Sequence, residues 1–273
     1  MTRLDTAQWG ADRLRVGPWR GDHRIAYVAP TPGRSPDVAT IRRCVSDLRA
    51  QGYVSVLTSA LSPAEQRPFL TSGFVVHEHL HLLRHPLDPA APIQPIQPVG
   101  TVEPATTRRG RRRDREAVLA VDHLAFSPFW RFDRAGLDGA REATPVSRFR
   151  VATQSGAVVG YAVTGRAGPI SYLQRLAVHP DVQRRGIATM LVNDALRWAT
   201  RRGARTMLVN TQEQNRPAVA LYERLGFLLE AEGLDVLEHD LPDDDPAAAH
   251  QVASGQPAAD QHAGDLPPRE SPP

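Results

Sequence analysis

The chain has 273 residues, 41% hydrophobic and 23% charged, enough apolar material for one large core or two smaller ones. Its formal net charge is only +3, from 33 Lys+Arg against 30 Asp+Glu, which argues against a whole-protein electrostatic grip on nucleic acid. Cys44 is the single cysteine, so no internal disulfide and no CxxC metal or redox site can form, and a reducing, cytoplasmic setting is expected. All 33 cations are arginines and 24 residues are proline, the compositional mark of a high-GC genome. The start MTRLDTAQWG has no apolar h-region, and no run approaches the length of a membrane span, so neither a signal peptide nor a membrane partner is expected.

In chain order, residues 1–87 come first. Here an amphipathic helix carrying Cys44 as a small core residue ends at Gly52, a strand follows, and a short helix closes at Gly73-Phe74. The run HEHLHLLRH would put His77, His79 and His81 on one strand face; a polar face accounts for them, and no metal is expected. Residues 88–98 are Pro-rich and read as a semi-extended linker. Residues 99–241 read as a second folded region. A strand near 101–106 is followed by helices near 112–126 and 133–143. A hairpin turns at Ser155-Gly156, and a strand covers 171–178. A helix over 187–202 stops at Gly203, a strand covers 206–211, and a helix over 216–225 closes at Gly226. Residues 227–233 and 234–241 can pair as a last hairpin. Residues 242–273 have almost no large apolar side chains and are expected to be a disordered tail.

The two folded regions echo each other. Helix, Gly, strand, helix, Gly-Phe recurs with 21 residues from Gly52 to Gly73 and 23 from Gly203 to Gly226. The first region therefore reads as a shortened, degenerate copy of the second.

The most informative segment is RLAVHPDVQRRGIATMLVNDALRWA. A buried strand enters a short loop and then a helix. A helix start presents amides with no intrahelical acceptor, and the macrodipole adds positive charge there. Gly186 permits positive φ, Ala188 is small, and Arg184 and Arg185 can add charge at the rim, so the turn suits an anion. A plain strand-loop-helix connection with solvated arginines is the alternative on these residues alone.

The flanking pattern goes further. Gln183-x-x-Gly186-x-Ala188 after Val178-x-Pro180 resembles the coenzyme A pyrophosphate motif of the GNAT superfamily of N-acetyltransferases. Asn215, Ala218, Leu221, Tyr222, Leu225, Gly226 and Phe227 resemble its second cofactor-side motif, in the family's order. The resemblance implies the GNAT fold over 99–241: an α/β (α+β) mixed central sheet with splayed strands and flanking helices. A partial GNAT-like lobe, residues 1–87, would stand in tandem before it. It implies that backbone groups of Leu176, Ala177 and Val178 hold a pantetheine arm. Amides of Gln183, Arg184, Arg185, Gly186, Ile187, Ala188 and Thr189 would hold the pyrophosphate. Asn215 would bond the arm, and Tyr222 would act as general acid toward the thiolate.

A general base is not legible. The strand 171–178 has no carboxylate, and Asn210 stands where ribosomal-protein N-terminal acetyltransferases of the family often place one; Glu213 falls in the following loop. The acceptor site is expected between the loop after the first helix and the final hairpin. There FSPFWRFD either walls a pocket with Arg131 and Asp133 or staples two helices. Residues 108–116 hold six arginines, read as a solvated helix entrance rather than a nucleic-acid patch. The first copy lacks Q-x-x-G-x-A and should not bind coenzyme A that way. The resemblance thus implies transfer of an acetyl group from acetyl-CoA to an amine of a small molecule or a protein N-terminus. The alternative is a coenzyme A-binding regulatory module without turnover; a homodimer is left open.

Overall fold

A computed structural model describes residues 5–9, 12–31, 35–88, 90 and 104–241. The expected tail 242–273 and most of the expected linker 88–98 lie outside the described residues, as do residues 101–103 of the expected strand near 101–106. The elements in chain order are β1 (Asp5–Trp9), β2 (Asp12–Trp19), β3 (Asp22–Pro30), α1 (Val38–Ala50), β4 (Ser55–Thr58), α2 (Pro63–Thr71) and β5 (Val75–Pro86). Then follow β6 (Thr106–Arg109), α3 (Arg115–Ala125), α4 (Arg134–Glu142), β7 (Val146–Gln154), β8 (Ala157–Ala167) and β9 (Ile170–Val178). The last are α5 (Ile187–Arg201), β10 (Thr206–Gln212), α6 (Arg216–Arg224), β11 (Leu228–Leu229) and β12 (Leu234–Asp240). The expected strand near 101–106 is β6, displaced to Thr106–Arg109, where it pairs with β7. No helix among the described residues is long and apolar enough to cross a membrane.

One mixed sheet runs through the molecule in the order β1-β2-β3-β4-β12-β5-β10-β9-β8-β7-β6, with β11 also on β5. The halves repeat one topology. β3 is parallel to β4 across α1, as β9 is parallel to β10 across α5; each pair is followed by a helix and an antiparallel strand. The halves also exchange strands. β5, from the first half, lies antiparallel on the whole of β10 through its residues Leu80–Pro86, while β12, from the second, lies between β4 and β5.

The expected last hairpin therefore does not form. β11 pairs with β5 at Arg84 and Leu83, and β12 leaves for the first half. Packing decides this. Leu237 and Leu241 enter the core built on α1 and α2 with Leu14, Ile41, Phe69 and Phe74, and Val236 packs with Trp19 and Leu57. Gly233 allows the crossing, because a Cβ there would stand 2.4 Å from the Leu80 carbonyl oxygen.

In α1, Ile41, Cys44 and Leu48 recur at helical spacing and are buried. Burial pushes the Cys44 thiol up to about 12, the state of an inert core residue. In the second half α5 and α6 cover one sheet face, and α3 and α4 cover the other.

β5 is bonded on both edges, and its Leu83 is fully buried under α5. Leu83→Ala is expected to cost about 3 kcal/mol. Because β5 joins both halves, far-UV circular dichroism and tryptophan fluorescence should follow one shared urea transition at a lower midpoint. Two separated transitions would show that the halves unfold independently.

Candidate functional site

The parallel ladder between β9 and β10 is short. It pairs Ile170 with Thr206, Ser171 with Met207 and Tyr172 with Leu208, and then stops, although β9 continues to Val178 and β10 to Gln212. Each strand keeps its outer neighbour. β9 stays on β8 as far as Val178, and β10 stays on β5 as far as Gln212 opposite Leu80. The two strands thus splay into a cleft. A bulge at Gln174, where the β8–β9 register shifts, re-aims the strand. Leu173, Leu176 and Val178 face the core under α5, while Ala177 joins the opposite core and Arg175 reaches Asp122 on α3.

The ladder also sorts the backbone groups. His179 N–H donates to the Val159 carbonyl at 2.9 Å. Alternation then turns the backbone of Ala177 toward β8 and leaves that of Leu176 and Val178 facing the cleft. The Gln183 side chain donates to the Val178 carbonyl at 3.2 Å, from the cleft side.

At the end of β9 a 3-10 turn over Pro180–Val182 leads into the helix entrance. Arg184 has φ +63° and Gly186 has φ +81°, both left-handed. The first bond of the α5 ladder is Met190 N–H to the Gly186 carbonyl at 2.9 Å. The amides of Arg184, Arg185, Gly186, Ile187, Ala188 and Thr189 have no backbone acceptor among the described residues. That of Gln183 bonds the Pro180 carbonyl at 3.2 Å, inside the turn. The first half lacks this arrangement. Its β3–β4 ladder spans all of β4 and is extended by Val54 N–H to the Arg24 carbonyl and Ser59 N–H to the Val28 carbonyl. The α1 entrance is capped by the chain's own carboxylate, with the Thr40 N–H donating to Asp37 Oδ1 at 2.6 Å.

Asn215 caps α6, its Oδ1 accepting from the Ala218 N–H at 3.3 Å. Tyr222 is buried against Phe227, ring centroids 5.4 Å apart, and burial raises its phenol above the ordinary range, so it keeps its proton at neutral pH.

On the α3 side of the sheet lies a buried charge network. Arg175 donates through Nε and Nη2 to the fully buried Asp122 at 2.8 and 2.9 Å, and through Nη2 to the Trp130 carbonyl at 2.7 Å. Asp122 also accepts from the Tyr161 hydroxyl and from the Phe132 N–H at 2.7 Å. The Arg175 guanidinium lies 3.4 Å from the ring centroid of Phe126 and 4.0 Å from that of Phe132. Within the aromatic segment Phe132 packs inward, while Phe129 and Trp130 pack onto Trp19 of β2. Asp133 caps α4, accepting from the Gly136 N–H at 2.7 Å, and Arg131 Nε donates to the Phe126 carbonyl at 3.2 Å.

The element packed against this segment is not a final hairpin. It is the β2–β3 hairpin, whose Arg20-Gly21 turn has φ +47° and +84°. Arg20 lies over the rings of Trp19, Trp130 and Phe132, at 4.2, 4.9 and 5.1 Å. Burial, and then the nearby Arg175 cation, lower its pKa.

β5 adds a carboxylate that reading β9 and β10 alone misses. Glu78 Oε1 accepts from Gln212 Nε2, at the end of β10, at 2.6 Å. Its sequence signal is the acid inside the His run, but only strand exchange brings it here. Asn210 is exposed on β10, and Glu213 is exposed beyond it. The expected single face of His77, His79 and His81 is broken by a bulge opposite Val236-Leu237, and His77 stacks on Phe129, ring centroids 4.8 Å apart. His77 pairs with Glu238 at 2.8 Å and His79 with Asp235 at 2.7 Å; among the described residues no group of three or more His, Cys, Asp or Glu is placed to hold a metal.

Residues 115–227 match the acetyltransferase (GNAT) family. Solved structures share the fold well beyond that stretch. A tandem GNAT protein from the clavulanic acid biosynthesis pathway is 16% identical, covers 88% of this chain and 83% of its own, and has a TM-score of 0.64. A GCN5-related N-acetyltransferase from Sphaerobacter thermophilus is 19% identical over 85% of this chain and 78% of its own, with a TM-score of 0.58. One from Kribbella flavida is 17% identical over 89% and 92%, with a TM-score of 0.56.

Burial raises the phenols of Tyr27, Tyr161 and Tyr222. A spectrophotometric titration through roughly pH 9–11 is expected to show fewer than the chain's five tyrosines ionising before unfolding. Unfolding frees these phenols to ionise near their ordinary value, so the unfolded state binds fewer protons there and stability falls as pH rises. Five reversible ionisations in the folded protein would contradict the burial.

Proposed function

From the match of residues 115–227 to the acetyltransferase (GNAT) family, we propose that the chain transfers an acetyl group from acetyl-CoA directly to a primary amine of a small molecule or a protein N-terminus. The observation that carries this is the splay of β9 from β10, ending on the left-handed turn at Gly186. Leu176 and Val178 offer backbone groups to a pantetheine arm, and Ala177 holds β9 in register on β8. The free amides of Arg184, Arg185, Gly186, Ile187, Ala188 and Thr189, with the α5 dipole, suit a pyrophosphate, and Gln183 braces the turn. The Asn215 amide nitrogen is left for the arm while its oxygen caps α6.

In the transfer a nitrogen–acyl carbon bond forms and the carbon–sulfur bond breaks. Glu78 is the carboxylate we assign to take the proton from the ammonium, because it stands at the end of the splayed β10. Tyr222, held neutral by burial, gives its proton to the departing thiolate and is re-protonated by the second proton that the acylated nitrogen releases. The first half is read as a degenerate GNAT-like lobe. Its closed β3–β4 ladder and self-capped α1 leave it a shaping role, expressed through Glu78 and the β2–β3 hairpin.

A second reading, a coenzyme A-binding regulatory module without turnover, is favoured by one observation: neither β9 nor β10 carries a carboxylate.

Calorimetry with coenzyme A and thiol release against a panel of amines and peptides test both. Gly186→Val is expected to weaken coenzyme A binding roughly tenfold or more, because a β-branched residue at φ +81° distorts the turn. Glu78→Gln and Tyr222→Phe are each expected to lower kcat roughly 100-fold with coenzyme A affinity retained. Binding without acceptor-dependent thiol release selects the module; no binding at all overturns both readings.

A further inference from the structure

A cavity of about 420 Å³ lies away from the cleft, lined by Arg109, Gly110, Arg141, Ser147, Arg148, Phe149, Arg150, Trp198 and Arg202. Five of these nine residues are arginines and none is acidic. The cavity sits where β6 ends. Gly110 N–H bonds the Phe149 carbonyl at 3.0 Å, and past that point residues 146–148 of β7 have no strand on their outer side among the described residues. Trp198 and Arg202 come from the last turn of α5, about 20 Å along the helix from the Gly186 turn.

The charges are under-compensated. Asp194 serves two of the arginines: both its oxygens accept from Arg148 Nη2 at 2.9 Å, and Arg150 Nε lies 3.1 Å away. Asp138 pairs with Arg141 at 3.1 Å but is shared with Arg115. Arg109 and Arg202 have no carboxylate partner among the described residues. Counting both carboxylates wholly to the cavity still leaves three positive charges unbalanced. The Nε of Arg148 is sealed from solvent without a hydrogen-bond partner, and that of Arg150 has only the Asp194 carboxylate beside it. Lining one cavity with under-compensated guanidinium groups favours entry of an anion, and their planar forks match the oxygens of a phosphate. Of the six arginines at residues 108–116, Arg108 is tied to Asp114 and Arg115 to Asp138, whereas Arg109 faces the cavity.

We propose that this arginine cavity is a second anion site, taking a small ligand with a diphosphate or an equivalent pair of phosphate groups. The volume falls in the range of small-molecule sites and is too small for a folded nucleic acid. The site stands on its own residues and does not depend on acetyl transfer.

Calorimetry on the full chain tests it, titrating pyrophosphate and then ADP into the wild type and into Arg109→Gln/Arg202→Gln, because the difference between the two separates this cavity from the Gly186 turn. Saturable binding is expected, lost roughly tenfold or more in Arg109→Gln/Arg202→Gln, while coenzyme A affinity is unchanged. These two side chains are exposed, so the variant should fold, which circular dichroism checks. ADP tighter than pyrophosphate assigns the site to a nucleotide; equal affinities assign it to the diphosphate group. Both support the proposal. Absence of binding up to about 10 mM, or binding equal in the double variant, overturns it. Tight binding of a single-stranded oligonucleotide, lost in the variant, with none of pyrophosphate, overturns it in favour of a macromolecular partner. If coenzyme A itself does not bind, the comparison of wild type with double variant still decides the question.

Discussion

Strand β5 is the constraint on which the rest depends. It carries β10 on one edge and β12 and β11 on the other, so the two halves share one hydrogen-bonded sheet. A strand edge exposes a row of unsatisfied backbone groups, and the exchange closes an edge in each half. It also sets the geometry of the cleft. Because β10 follows β5 as far as Gln212 while β9 follows β8 as far as Val178, the two inner strands are pulled apart.

The halves show how one topology gives two outcomes. Both run strand, helix, parallel strand. In the first the strands stay paired along the whole of β4, and Asp37 occupies the start of its helix. In the second the ladder ends after Tyr172–Leu208, a bulge at Gln174 turns β9, and Gly186 replaces the capping side chain with a bare left-handed turn. A self-supplied carboxylate at a helix entrance competes with any external anion for the same amides. The difference in backbone geometry between the halves follows from those few residues.

Arg175 and Asp122 fix the segment after α3 to the sheet. A buried ion pair is tolerable only when its remaining donors and acceptors are satisfied, and here Tyr161, the Phe132 amide and the Trp130 carbonyl do so. The aromatic segment after α3 is pinned by these bonds, and its outward rings become the seat for Trp19 and Arg20. The first half thus packs on the aromatic segment and on β10 while its own β3–β4 ladder stays closed.

Much of this was legible in the residues. The hairpin at Ser155-Gly156, the helix stops at Gly203 and Gly226, and the entrance at Gly186 are local events, decided by glycine's access to positive φ and by helix-end amides. The echo between the halves was visible for the same reason. Tertiary structure alone decided which strands pair. Residues 234–240 alternate equally well for β11 or for β4, and only burial of Val236 and Leu237 in the first half selects β4. Glu78, the β2–β3 hairpin against the aromatic segment and the arginine cavity all depend on long-range pairing. A sequence records which backbone shapes are cheap locally; it does not record which distant edge removes the most apolar surface from water.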